Sequence, residues 1–201
     1  MRTWAPSNRA CARRCASAGC SARPSCGSNA TGRATADRCP RPARRADCLA
    51  TATTHDLPST AARLTGEHVE LRDSLGLLTR PLQEERAEAA ADTAEWLALL
   101  TELGLLHGTG GTDTSSEEAE IQAVHRFLLR TPARMVGVWL PDGVGDRRPQ
   151  NLPGTWDQYP NWRLPIADAE GRPVTLEQLA ASPRLHALIE VLRQPAGASD
   201  E

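Results

Sequence analysis

The stretch that decides the fold is LATATTHDLP, residues 49–58. It is a run of small and β-branched residues that ends in polar side chains and a proline. Because Pro58 has no backbone N–H to donate, we predict a strand that starts at Leu49 and ends near His55 or Asp56. A short buried strand with polar residues at its carboxyl end is typical of a parallel α/β barrel.

His55 and Asp56 are the candidate functional pair of this stretch. An imidazole and a carboxylate side by side can hydrogen-bond adjacent hydroxyl groups of a sugar ring. A His-Asp pair alone is weak evidence, since surface loops expose polar residues whatever their role. Its interpretation therefore depends on the rest of the chain.

The residues that follow predict a series of helices. Ser59 or Thr60 can cap a short helix that stops at Gly66, because Ser and Thr favour N-caps and glycine favours C-termini. We expect His68 to lie on a solvated helix face and His125 to pack or face solvent, neither of them ligating a metal. Further helices are predicted for residues 67–75 and from Pro81 to residue 103. A capping box of Ser115 and Glu118 predicts another helix, which ends before Pro132. Two more are predicted after the caps Thr175 and Ser182.

A second strand is predicted at RMVGVWL, residues 134–140, because a parallel strand buried on both faces is nearly continuous in apolar residues. Strands that alternate with helices indicate an α/β fold. We assign residues 46–194 to the C-terminal portion, about the last two β/α units, of a (β/α)8 TIM barrel, mostly helical as it stands. Residues 195–201 are expected to fray.

Charge and cysteine are concentrated at one end of the sequence. Residues 1–48 hold ten arginines against two aspartates, a net charge of +8, and all six cysteines, whereas the whole chain has a net charge of −2. No apolar run approaches the roughly 18 residues that span a bilayer. No apolar segment follows the first arginines, which argues against a secretory signal peptide. We therefore expect a cytoplasmic protein with no membrane partner.

Residues 1–45 contain no Val, Ile, Leu, Phe or Tyr and are expected to be disordered, because they cannot bury enough surface to offset the entropy of ordering. The cysteine spacing matches no zinc template, so a metal or disulfide framework is disfavoured. A transit peptide and a segment translated in a non-native reading frame remain as alternatives. A nucleic-acid-binding arm would suit the charge but has no fold and one aromatic residue.

Two blocks of sequence carry a resemblance to a known family. NLPGTWDQYPNWR, residues 151–163, and TTHDLPSTAARLTGEHVELRDSLGLL, residues 53–78, are similar to two motifs of the amylomaltases, or 4-α-glucanotransferases, in the same order. Under GC-rich codon choices, residues 1–32 read two bases later begin with Glu-Asp-Leu-Gly, which is similar to a further motif of that family. This similarity favours the reading-frame interpretation, and the nucleotide sequence tests it.

The resemblance implies a retaining transfer of α-1,4-glucan segments between maltooligosaccharides, without metal or cofactor and without nucleic acid. It assigns Asp56 to transition-state stabilisation and His55 to a neighbouring hydroxyl contact. The family's nucleophile and acid/base glutamate belong to upstream strands and have no counterpart in this chain as printed, so we expect it to be inactive alone. The expected substrate-binding residues are Asn151, Trp156, Tyr159, Asn161, Trp162 and Arg163. For Asn151, Asn161 and Arg163 the favoured alternative is that they hold the loop, because Pro-Gly loops need side chains to satisfy their backbone.

A non-catalytic α-glucan-binding module is the alternative interpretation. Trp156, Tyr159 and Trp162 would then form a platform on which pyranose rings stack, because aromatic rings offer flat apolar surfaces. Retained binding to amylose that is lost in Trp162→Ala would favour this alternative.

Overall fold

The computed structural model describes residues 47–106 and 114–193. The expected disorder of residues 1–45 and fraying of residues 195–201 lie outside these ranges. The described part is rich in helix and contains a small parallel sheet, as predicted. Its elements in chain order are β1 (Leu49–Thr51), α1 (Thr60–Thr65), α2 (Glu67–Ser74), α3 (Leu82–Glu102), α4 (Thr114–Leu129), β2 (Met135–Gly137), a 3-10 helix (Leu140–Gly143), α5 (Leu176–Ala180) and α6 (Pro183–Arg193).

The two strands are parallel but shorter than predicted. Leu49 pairs with Met135 and the ladder ends where Thr51 pairs with Gly137. Beyond that point the Thr51 hydroxyl donates to the carbonyl of Thr53 at 2.8 Å, and local bonds of this kind compete with a ladder. The predicted extension of β1 to residue 55 or 56, and of β2 to residue 140, is therefore wrong.

Helix α4 forms the centre of the described core. Its residues Phe127, Leu128 and Ile121 belong to three different apolar clusters, which pack against α3, against β1, and against α1 with α6. Trp96 of α3 meets Phe127 edge to face at 5.5 Å between ring centroids. The apolar residues of this helix thus join the other elements into one packed unit.

Several helix ends follow the chemistry of single residues. The Ser59 hydroxyl accepts from Ala62 N at 3.2 Å, and Gly66 ends α1 with a φ of 78°, a left-handed conformation that favours glycine. The predicted capping box of α5 is also confirmed, since Thr175 and Gln178 exchange side chain-to-backbone hydrogen bonds. The cap predicted at Ser115 is wrong, because α4 already begins at Thr114.

His68 and His125, the two helical histidines considered above, both turn inward. His125 is fully buried and its Nδ1 donates to the carbonyl of Ile121 at 2.8 Å, which confirms a packing role. His68 is half-buried rather than on a solvated face, and its Nδ1 donates to the carbonyl of Ala62 at 2.8 Å. Burial lowers the pKa of His68, because a charged imidazolium is disfavoured away from water.

One part of the small sheet remains open. Leu49 and Met135, which pair across it, are 46% and 60% exposed, although parallel sheets are usually covered on both faces. Among residues 47–106 and 114–193, no helix has the length and apolar character needed to cross a membrane.

Candidate functional site: a His-Asp loop beside an aromatic loop

The loop that follows β1 carries the predicted His-Asp pair. Thr53 is buried and its hydroxyl donates to the carbonyl of Pro58 at 2.7 Å, while Leu57 N donates to the carbonyl of Thr54 at 3.1 Å. These two bonds close the loop on itself. His55 and Asp56 lie at its tip, with side chains that are 51% and 53% exposed.

His55 and Asp56 contact each other and one residue far away in sequence. The His55 Nε2 lies 3.2 Å from the Asp56 Oδ2. Asn151, 95 residues further on, donates its amide Nδ2 to the Asp56 Oδ1 at 2.7 Å. The Asp56 carboxylate is thus oriented by two side chains and keeps enough exposed surface to accept hydrogen bonds from a ligand.

Trp162 supplies the aromatic side of the site. Its ring lies 5.1 Å from the ring of His55, tilted by 48°, and its side chain is largely exposed. The backbone of Trp162 has a φ of 61°, and its N–H donates to the carbonyl of Gln150 at 2.8 Å. A bulky residue in this conformation is uncommon and is held by surrounding structure, so we interpret it as a positioned ring. We call His55, Asp56, Asn151 and Trp162 the surface cluster.

The loop around Gly154, residues 151–163, is held in shape by its own side chains, and we call it the aromatic loop. Gly154 has a φ of 94° in a tight turn that Thr155 N closes on the carbonyl of Leu152 at 3.2 Å. Asn161 accepts from Leu152 N and donates to the Thr155 hydroxyl, both at 2.8 Å. The amide of Asn161 is thus used within the loop, which favours the loop-holding alternative over a sugar contact.

Tyr159 also differs from the expectation. It is buried, and its hydroxyl donates to the carbonyl of Pro149 at 2.7 Å. Burial raises the pKa of Tyr159 to about 12. A ring in this position offers no open face for a sugar, so Tyr159 is corrected from a stacking residue to one that fixes the aromatic loop from beneath.

The two remaining predicted residues stand apart from the surface cluster. Trp156 is 90% exposed. The Arg163 guanidinium lies 3.7 Å from a carboxylate oxygen of Asp157, and both are open to solvent. Within the described ranges, neither Trp156 nor Arg163 contacts His55 or Asp56.

Asp142 and Thr60 were missed as a pair by the sequence analysis. Asp142 is 1% exposed, and its carboxylate accepts from both the N–H and the hydroxyl of Thr60, at 2.8 and 2.6 Å. Burial raises the pKa of Asp142, while the bonds from Thr60 and the nearby His125 act against that rise. An aspartate directly after an apolar strand and a proline was the available signal, because a carboxylate there must find donors.

The described residues also limit what the site can hold. Over residues 47–106 and 114–193, no group of three or more His, Cys, Asp or Glu side chains is placed to hold a metal ion. The donors and acceptors of the surface cluster are instead suited to hydroxyl groups, with an apolar ring alongside.

Comparison with known proteins places this chain in a family. The family described as 4-alpha-glucanotransferase, glycoside hydrolase family 77, matches residues 31–169. That match begins inside the segment 1–45 that the sequence analysis treated as non-native. The 4-alpha-glucanotransferases of Mycobacterium bovis and Mycobacterium tuberculosis are each 50% identical over 146 residues, which is 73% of this chain and 20% of theirs.

A solved structure shows the same relationship at the level of the fold. The crystal structure of amylomaltase from Corynebacterium glutamicum is similar with a TM-score of 0.64 and 34% sequence identity, over 74% of this chain and 23% of that one. The chain spans about a fifth of the length of the curated relatives it matches. From the extent of the family match and these likenesses, the chain belongs to the 4-alpha-glucanotransferase family.

Proposed function

We propose that the surface cluster is a glucan-contacting site in a 4-α-glucanotransferase, which transfers α-1,4-glucan segments between maltooligosaccharides. The observation that carries the proposal is the 2.7 Å bond between Asn151 and Asp56, two motif residues from distant blocks. It brings together, on one accessible surface, two of the residues that the family resemblance assigns to the site. His55 and Trp162 complete that surface at 3.2 and 5.1 Å.

The geometry suits a carboxylate that grips sugar hydroxyls. Asn151 and His55 orient the two oxygens of Asp56, and the exposed lone pairs can accept from adjacent hydroxyls of one pyranose ring. Such bonds strengthen as positive charge develops on the ring in an oxocarbenium-like transition state. An interaction that is stronger in the transition state than in the ground state accelerates the reaction. Trp162 offers an apolar face beside the same ring.

We further propose that residues 46–194 form about the last two β/α units of a (β/α)8 barrel. The parallel pairing of β1 with β2, with helices between them in sequence, supports this assignment. The retaining mechanism also needs a nucleophile and an acid/base, which the resemblance assigns to other strands. We therefore expect the 201-residue chain to bind glucan without transferring it. The proposed setting is the cytoplasm, with α-glucans as partners and no nucleic acid, membrane or cofactor.

The test compares two aspartates of the chain. Asp56→Asn should weaken maltoheptaose binding by about tenfold or more, measured by calorimetry, because a hydrogen bond to a charged group is worth about 1.5–3 kcal/mol. Asp157→Asn, an exposed aspartate of the aromatic loop, is the matched control and should leave the affinity unchanged. Equal affinities of Asp56→Asn and the unchanged chain would disprove the proposed role of Asp56.

Two further readouts separate the alternatives. If Trp156→Ala abolishes binding while Asp56→Asn does not, the chain is a non-catalytic glucan-binding module that uses its most exposed ring. Incubation of the chain with maltotriose should yield neither glucose nor longer oligosaccharides. Formation of such products would disprove the proposed division of catalytic residues.

A further inference from the structure

We propose that Asp142 is a positioning residue that holds the loop of His55 and Asp56 in its glucan-binding arrangement. This inference rests on the function proposed above. Asp142 touches neither residue and acts through Thr60, four positions after Asp56 in the sequence.

The contact between Asp142 and Thr60 is buried and two-pronged. One carboxylate oxygen accepts from the Thr60 N–H at 2.8 Å and the other from its hydroxyl at 2.6 Å, across 82 residues of sequence. Hydrogen bonds to a carboxylate are stronger than neutral ones, and two of them fix direction as well as distance. The point where the loop enters α1 is therefore set by the 3-10 helix that follows β2.

The loop between these points behaves as a closed unit. The Thr53 hydroxyl donates to the carbonyl of Pro58, and Leu57 N donates to the carbonyl of Thr54, so the tip is tied to its own base. A displacement of Thr60 would thus be passed on to His55 and Asp56 instead of being absorbed between them. The Asp142 anchor sets where the tip lies.

The segment of chain that carries Asp142 also carries the two residues that contact His55 and Asp56 in the surface cluster. Asp142 precedes Asn151, which binds Asp56, and Trp162, whose ring lies tilted beside that of His55. The distance between the two halves of the surface cluster therefore depends on how the loop is anchored to this segment. Asp142 is the buried member of these contacts, and it is the one shielded from competition by water.

Asp142 is itself held firmly. Its N–H donates to the carbonyl of Trp139 at 2.9 Å within the 3-10 helix. The next residue, Gly143, lies so close to α6 that an added Cβ would meet Leu185 Cδ1 at 2.6 Å. A short helix pressed against α6 in this way gives the carboxylate a fixed base from which to hold Thr60.

The experiment uses the full 201-residue chain and compares Thr60→Val, Asp142→Asn and Asp146→Asn. Asp146 is the matched control, because it is equally buried but binds Arg148 and Ala167 N instead of the loop. The readout is the NMR signal of the His55 ring protons, assigned with His55→Gln and shifted by the nearby Trp162 ring. Trp162→Ala provides the reference signal for a His55 ring without the neighbouring Trp162 ring.

We expect the His55 signals of Thr60→Val and Asp142→Asn to move toward the Trp162→Ala reference, with maltoheptaose affinity about tenfold weaker. Thr60→Ser, which keeps both bonds, should restore the original signals. Asp146→Asn should lower the unfolding temperature yet leave the His55 signals in place. Unmoved His55 signals in folded Thr60→Val and Asp142→Asn would overturn the inference.

Failure of the proposed function would give a different result from failure of this inference. In that case the His55 signals still move in Thr60→Val, but no variant changes its response to maltoheptaose. If Asp142→Asn does not fold, the pair Thr60→Val and Thr60→Ser decides the inference, since both keep the backbone bond to Asp142.

Discussion

Two charged regions of this molecule are both built from distant parts of the chain, but their carboxylates differ in burial and in the number of partners. The surface cluster holds Asp56 with one amide and one imidazole and leaves about half of its side chain exposed. The second region, the buried ion cluster of Glu117, Arg147 and Arg184, leaves Glu117 only 7% exposed. Glu117 accepts from Arg184 on one oxygen and from Arg147 on the other, both at 2.6 Å.

The difference separates structural from ligand-directed charges. Both carboxylate oxygens of Glu117 accept hydrogen bonds inside the fold. These bonds join α4, α6 and the loop that follows the 3-10 helix. The carboxylate of Asp56 is about half exposed and can still accept hydrogen bonds from a ligand. A buried carboxylate needs its partners to offset the cost of leaving water, whereas an exposed one can exchange water for substrate.

The largest effect should come from opening the buried ion cluster. Glu117→Ala leaves Arg147 and Arg184 without their shared partner, and breaking such a buried pair costs about 3–5 kcal/mol. Urea denaturation of the chain should show this as a lower unfolding midpoint. Glu190→Ala, which breaks the exposed pair with Arg193, is the control and should not shift the midpoint measurably. Equal shifts would remove the distinction between the two regions.

A smaller effect should come from Tyr159, the buried residue beneath the aromatic loop. Burial raises its pKa from 10.0 to about 12, so the folded state favours the neutral phenol. The stabilisation is complete below about pH 10 and is lost as the pH rises toward about 12. Because the chain contains a single tyrosine, ultraviolet titration of phenolate reports this residue alone.

The control for that titration is Tyr159→Phe. It should remove the loss of stability in this alkaline range and cost about 1 kcal/mol at neutral pH, through the lost bond to Pro149. A tyrosine that titrates at its ordinary pKa in the folded chain would show that the aromatic loop is open, and would restore Tyr159 as a candidate stacking residue.

The smallest effect on stability should come from Asp56→Asn. The contacts of Asp56 lie at the surface, where ion pairs contribute little to folding, so the urea midpoint should stay within error. Combined with the loss of maltoheptaose binding expected above, this would mark Asp56 as a residue kept for its ligand. A large drop in stability would instead class the surface cluster with the structural charges.

Much of the local structure follows from short-range sequence rules. Ser59, Gly66 and the pair of Thr175 and Gln178 end or begin helices where their chemistry predicts, because a cap needs only residues a few positions away. The strands were overestimated for a related reason. Their length depends on a partner strand and on competing bonds from Thr51, and neither is visible in a hydrophobic pattern.

The residues of the candidate site likewise divide into those whose place the motif predicted and those whose role it left open. His55 and Asp56 were identified from their motif, and their exposure on a loop agrees with a ligand-facing role. The motif was less informative for Tyr159 and Asn161, since aromatic and amide residues in a Pro-Gly loop can bind a sugar or hold the loop. Burial of the ring and the amide bonds to Leu152 and Thr155 favour holding the loop.

By itself the sequence determined the helices, several of their caps, the family motifs and the identity of the His-Asp pair, because these depend on neighbouring residues. Only the tertiary structure decided that Asn151 orients Asp56 and that Asp142 grips Thr60, contacts that span 95 and 82 residues. The physical reason is that a hydrogen bond requires its two atoms within about 3 Å, and packing of distant elements alone sets such distances.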